Sequence, residues 1–184
     1  MNFARKGYGR TLMSEIAADS GIHITALYYH FNTKDDLAEG VINHLARVNH
    51  QEIVKRVKAL PRRVAFIDKL GTAIRAQLEG IVTHRDYILT QLKVLSEIPE
   101  ERQERHRALL HESADFWRRL LQEGRKAGVV RQDLDPSIAR MTLQGSINWT
   151  IEWYRPDGRS VSEIAEQITD TMLNGMATRP RVQS

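Results

Sequence analysis

Tyr28, Tyr29, His30 and Phe31 occupy four consecutive positions, and Lys34 follows three residues later. Each phenol and the imidazole carries a hydrogen-bonding group on a flat, largely apolar ring. A core would be built from leucine and isoleucine at such positions. Rings of this kind suit a surface that packs on one side and donates to oxygen on the other. With a lysine beside them, phosphate oxygens are the acceptors they match. Just upstream, Ile24, Thr25 and Ala26 set one hydroxyl between two side chains that can make only apolar contacts.

Other chemistry is poorly supplied. There is no cysteine, hence no disulfide framework and no thiolate metal site. His44 and His50 stand six apart and His106 and His111 five apart, so neither pair has the i, i+4 spacing of a helical zinc site. Glu100, Glu101 and Glu104 are interleaved with Arg102, Arg105 and Arg107, the pattern of a solvated, ion-paired helix face. There is no glycine-rich phosphate loop and no nucleophile elbow. The expectation is a protein that is not an enzyme, with no metal and no cofactor.

The elements that position the rings are helical. "TLMSEIAADSG" (11–21) reads as a short helix capped by Thr11, with Leu12, Ile16 and Ala17 inward, closed by a Ser20-Gly21 turn. "HITALYYHF" (23–31) is a second short helix, its Ala26 and Leu27 facing the first. A long third helix opens at a capping box formed by Thr33 and Asp36. Two short helices joined by a tight glycine turn have the form of a helix-turn-helix, whose second helix lies in a major groove.

Beyond residue 60 the apolar residues recur every three or four positions. Ile67, Leu70, Ile74, Leu78 and Ile81 form one stripe, and Leu109, Leu110, Trp117, Leu120 and Leu121 another. Ile138, Met141, Gly145, Trp149 and Trp153 form a third after the "DLDP" start, and Val161, Ile164, Ile168, Met172 and Met176 a fourth after "SVSE". Gly128 is the expected helix stop between the second and third. The fold class is therefore all-α, with a helix-turn-helix domain over 1–48 and a larger helical domain over 49–184.

The net charge of +4 is unevenly spread. Residues 1–63 carry ten Lys/Arg against six Asp/Glu, and the remainder seventeen of each. A basic end on a neutral body fits a partner that is a polyanion. The sequence has no apolar run of eighteen residues and no basic-then-apolar leader, so no membrane association and a cytoplasmic location are expected.

The segment "GYGRTLMSEIAADSGIHITALYYHFNTKDDL" (7–37) resembles the DNA-binding signature of TetR-type transcriptional regulators. Glycine plus aromatic, threonine, Ile-Ala, Gly-hydrophobic, Leu-Tyr-Tyr-His-Phe, then lysine and leucine fall in register. The resemblance implies a homodimer that binds double-stranded DNA, most simply as a repressor on a pseudo-palindromic operator, and answers to a small-molecule effector. It implies backbone contacts from Thr11, Tyr28, Tyr29, His30 and Lys34, and base contacts from Ile24, Thr25 and Ala26. His23 departs from the Ser or Thr with which the family caps this helix. The family also places a full helix before "FARKGY", of which the chain carries the last turn. A second reading, a helical dimerisation or adaptor protein that has lost DNA binding, follows from that departure.

The segment "QGSINWTIEWYRPDGRSVSEIA" (144–165) resembles the C-terminal part of those TetR-type regulators that answer to acyl-CoA thioesters. The family places its dimer bundle on what are here residues 136–154 and 160–176. It implies an apolar effector pocket between the helices from about 64 to 154, for which Phe66, Leu70, Tyr87, Leu92, Phe116, Trp117, Leu120 and Trp149 are the candidates.

Overall fold

A computed structural model describes residue 3 and residues 6–176, and for Met176 the backbone alone. The expectation concerning the helix before "FARKGY" falls largely on residues outside that range. Phe3 and Lys6 are helical, and nine further helices and no strand are present among the described residues: α1 (Met13–Asp19), α2 (Ile24–His30), α3 (Lys34–Lys58), α4 (Phe66–Thr83), α5 (Arg85–Glu97), α6 (Glu100–Lys126), α7 (Pro136–Asn148), α8 (Thr150–Trp153) and α9 (Val161–Met176). None is long and apolar enough to cross a membrane.

The chain divides into two compact units, residues 1–48 with 84–111, and residues 49–83 with 112–184. The segment 84–111, which the sequence reading assigns to the larger domain, thus clusters with the first 48 residues. Helices α3 and α6 each contribute residues to both units.

In the first unit Met13, Ala17, Leu27 and Leu37 form one buried cluster, closed by Ile16, Ile24, Phe31 and Val41. Tyr8, Ala38, Ile42, Val94 and Ile98 form another, with Phe3 and Leu95 against it. Fully burying a leucine, isoleucine, valine or methionine side chain contributes about 1.5–3 kcal/mol. Gly21 turns α1 into α2 at φ +66°, a conformation that favours glycine because it has no Cβ. The ring of Phe31 fills the space over Gly40, where a Cβ would come within 2.9 Å of it.

Two details of α1 differ from the sequence reading. The helix starts at Met13, and Met13 rather than Leu12 points inward, while Leu12 is 59% exposed. Thr11 does not cap it. The Thr11 hydroxyl donates to the Gly7 carbonyl at 2.7 Å, and the Leu12 N–H is taken by the Glu15 carboxylate at 3.2 Å. Leucine has no side-chain acceptor, so only half of a reciprocal box exists here. Ala26 also differs: it is exposed, and Leu27 alone packs inward.

The other local signals hold. Thr33 N–H donates to the Asp36 carboxylate at 2.9 Å and Asp36 N–H to the Thr33 hydroxyl at 3.0 Å. Ser160 and Glu163 make the same exchange at the start of α9, and the backbone N–H of Ser160 holds the Glu163 carboxyl below its ordinary pKa. Asp135 accepts from Ser137 and Ile138 N–H groups, with Pro136 in the first turn of α7. Gly128 ends α6 at φ +71°.

In the second unit α4 packs on α9, α7 and α8. Leu70, Ala73, Ile74, Leu78 and Ile81 turn inward from α4, and Trp117, Leu120 and Leu121 from α6. Phe66 lies directly on Gly124. From α7 and α8 the buried residues are Ala139, Leu143, Ile147 and Ile151. The stripe read from the sequence, Ile138, Met141, Trp149 and Trp153, is exposed instead. The pair α7–α8 is apolar on two faces, and among the described residues only one of them is covered.

Candidate DNA-binding surface

The rings of α2 lie on the surface. Tyr29 is 85% exposed and Tyr28 49%, and His30 stands edge-on to Tyr29 with the centroids 5.1 Å apart. Leu27, one helical turn from His23, Ile24 and His30, anchors the helix in the first cluster. Seven residues make two turns. One buried leucine, half-buried Ile24 and the flanking Phe31 hold them, so the remaining side chains are free to face a partner.

The base-reading positions differ among themselves. Ile24 is half-buried against Leu27 and its neighbours, whereas Thr25 and Ala26 are exposed. His23 caps the helix as an imidazole in place of a hydroxyl. Its Nδ1 accepts the Thr25 N–H at 3.4 Å and lies 2.7 Å from the Thr25 hydroxyl.

Lys34 is more occupied than the sequence reading expects. Its ammonium donates to the carbonyls of Tyr8 at 2.8 Å and Gly9 at 3.3 Å, and sits 4.4 Å from the centroid of the Tyr8 ring. Two of three N–H donors are thereby spent on the chain's own loop. The buried Tyr8 hydroxyl donates to Asp35. Tyr8 is thus the post that ties the loop before α1 to the start of α3. Its partners lie 26 and 27 residues away in the chain, beyond the reach of any local motif. Thr11, expected at the phosphate backbone, is fully buried with its hydroxyl held by Gly7. Its side chain therefore shapes this loop from inside. Thr11, Tyr28 and Lys34 nevertheless line one shallow groove with Leu12, Ser14, Ile24, Asn32 and Thr33.

Behind this surface the start of α3 is ion-paired to the start of α6. Arg102 donates to Asp36 and Glu39, each at 2.7 Å, and Arg105 grips Glu39 at 2.8 and 2.9 Å. The Arg102 hydrogen bond holds the Asp36 carboxyl below the usual range, and Arg105 does the same for Glu39. One turn on, buried His106 donates from Nδ1 to Asn43 Oδ1 at 2.9 Å, while Nε2 faces the Gln91 amide at 3.4 Å. This is a neutral imidazole, and burial pushes its pKa down.

The eight effector candidates are not brought together. Phe66, Leu70, Trp117 and Leu120 are buried in the second unit, and Phe116 is half-buried there between His50 and Trp117. Trp149, in the same unit, is 65% exposed. Tyr87 and Leu92 belong to the first unit, where Leu92 is exposed. Tyr87 lines a mostly apolar cavity of about 310 Å³ with Ile16, Leu37, Val41, Thr90 and Val94 among others. Its hydroxyl donates to the Val41 carbonyl, and burial raises its pKa to about 12. The indole N–H of Trp117 and Nδ1 of His50 are buried without a partner among the described residues.

Residues 63–176 match the family of C-terminal domains described as tetracyclin repressor-like, and residues 1–41 match the bacterial regulatory proteins of the tetR family. The chain belongs to the TetR family. It is a DNA-binding transcriptional regulator and not an enzyme. It is 28% identical over 181 residues to the HTH-type transcriptional repressor KstR2 of Rhodococcus jostii, covering 96% of this chain and 86% of that protein. The fatty acid degradation regulator FadR of Bacillus halodurans has the same fold, with a TM-score of 0.81 at 21% identity over 97% of this chain and 92% of that one. So has AibR in complex with isovaleryl coenzyme A and operator DNA, with a TM-score of 0.69 at 22% identity over 95% and 91%.

Proposed function

We propose that this TetR-family regulator is a ligand-responsive repressor that acts in the cytoplasm and binds a pseudo-palindromic operator as a homodimer. The observation that carries the DNA-binding part is the exposed face of α2, with Thr25, Ala26, Tyr28, Tyr29 and His30 all at the surface. Tyrosine and histidine donors position the backbone, and the first residues of the helix meet base edges.

The dimer reading is supported by the second apolar face of α7 and α8. Ile138, Met141, Trp149 and Trp153 are exposed at helical spacing, and a Cβ at Gly145 would meet nothing within 4 Å among the described residues. Such a stripe favours contact with a copy of itself about a two-fold axis. The two recognition helices would then enter successive major grooves about 34–36 Å apart.

The effector class we propose is an acyl-CoA thioester. The segment 144–165 supports it, and so does the complex of AibR, whose described ligand is isovaleryl coenzyme A. We place the candidate effector site in the second unit near Trp117, whose buried N–H finds no partner among the described residues. Effector binding would alter the spacing of the two DNA-binding ends through α3. A hundredfold release requires a coupling of about 2.7 kcal/mol.

The test is fluorescence anisotropy of the chain against DNA flanking its own gene, at two salt concentrations, followed by titration with acyl-CoA thioesters. Selective, salt-dependent binding that the thioester weakens is the expected result. Absence of selective binding would refute the regulator mechanism, and selective binding indifferent to every thioester would refute the effector class alone.

A further inference from the structure

The pair His23 and Thr25 at the start of α2 bears on how the operator is read, and this inference rests on the DNA-binding reading above. His23 Nδ1 accepts the Thr25 backbone N–H at 3.4 Å, so it carries a lone pair and no proton. The Thr25 hydroxyl lies 2.7 Å from the same nitrogen. Between an unprotonated nitrogen and a hydroxyl at that distance, the hydroxyl is the donor.

A threonine hydroxyl has one hydrogen and two lone pairs. With the hydrogen committed to His23, Thr25 turns only lone pairs and a methyl group outward. A threonine free to rotate can pair with donor or acceptor base edges alike. This one has lost that choice. Ile24 and Ala26 beside it have no polar side-chain atom.

We propose that Thr25 reads the operator as an acceptor only, taking a hydrogen from the exocyclic amino group of an adenine or a cytosine in the major groove, and that His23 is the positioning residue that fixes this polarity.

The probes are duplexes enriched from a random-sequence library by the full wild-type chain. Thr25→Val, which keeps the shape and removes the oxygen, identifies the base position whose preference depends on Thr25. At that position the amino-bearing base is replaced by purine for adenine, or by 2-pyrimidinone for cytosine. The wild-type chain is expected to bind the analogue duplex about tenfold more weakly than the natural one, and Thr25→Val to bind both equally. His23→Ala should narrow the preference for the amino group over a carbonyl. His23→Asn should restore it, because Asn Oδ1 accepts as Nδ1 does. Thermal melts identify any variant that fails to fold, and Thr25→Ser then serves as the second probe, retaining the preference. Enrichment followed by equal wild-type binding of natural and analogue duplexes overturns the inference alone. So does a Thr25→Val chain that still discriminates, or a His23→Ala chain indistinguishable from wild type. No enrichment of any sequence overturns the DNA-binding reading itself, and this inference with it.

Discussion

Gly124→Ala sets two effects of known size against each other. In a helix interior alanine is favoured over glycine by about 0.8–1 kcal/mol, and near the end of α6 that is an upper bound. Packing opposes it. A Cβ at position 124 would lie 2.4, 2.7 and 2.8 Å from three carbons of the Phe66 ring. Carbon contacts are comfortable at about 3.5–4.0 Å, so the ring must retreat by about 1 Å. Phe66 is buried at the first turn of α4, and its ring cannot fold aside as a flexible chain end can. Overpacking costs about 1–3 kcal/mol, and the rigidity of both partners argues for the upper half. The net expectation is a loss of about 1–2 kcal/mol, or a fall in Tm of about 2–8 °C for a chain of this size. Urea titration and thermal melts followed by circular dichroism, at one fixed protein concentration, measure it. Phe66→Leu in the same chain should return part of the loss. Gly145→Ala, whose Cβ meets nothing among the described residues of its own chain, is the matched comparison at a dilution that leaves the chain monomeric, where propensity should stabilise it. An unchanged or raised Tm for Gly124→Ala would refute the reasoning, since propensity would then have won where contact was expected to.

Lys34→Ala should weaken binding about equally on all duplexes and flatten the salt slope by roughly one unit, as read by anisotropy at several salt concentrations. A changed sequence preference with an unchanged slope would contradict its role. His106 is held neutral by burial, its folded pKa below the ordinary histidine value, so its contribution to stability is present above about pH 6.5 and is lost as pH falls below it. His106→Gln should flatten urea-measured stability against pH in that window. Asp36 and Glu39 have depressed pKa values, so their contribution holds above about pH 4 and is lost as pH falls through the folded values. Arg102→Met should flatten that acid limb. Met141→Glu places a charge on the exposed stripe of α7 and should convert dimer to monomer in sedimentation equilibrium, with the helical circular dichroism signal retained.

What the sequence disclosed well was local. The boxes at Thr33 and Ser160, the Asp135-Pro136 start and the Gly128 stop each rest on residues within four positions, and each stands as read. The helix-turn-helix was legible for the same reason. The break at His84 was not, because neither proline nor glycine marks it and the apolar spacing runs on from Ile81 to Ile88. Periodicity named a stripe on α7 but could not say which apolar face the chain keeps for itself. It found Ile138 and Met141, whereas Leu143 and Ile147 are the buried residues. Lys34 was placed correctly in the chain, but its ammonium is set by carbonyls 25 and 26 residues away, which no spacing rule reaches. The effector candidates suffer most, since a pocket is made by tertiary packing, and size and aromaticity alone did not separate core from lining.

The three tryptophans all lie in the second unit, Trp117 fully buried and Trp149 and Trp153 exposed, while the first unit holds tyrosine and phenylalanine but no tryptophan. Light at 295 nm therefore excites one half of this regulator and leaves the DNA-reading half dark. A quencher such as iodide should reach two of the three indoles in a monomer, and a self-associated chain should shield them, so the emission of the unmodified protein is a built-in gauge of its assembly.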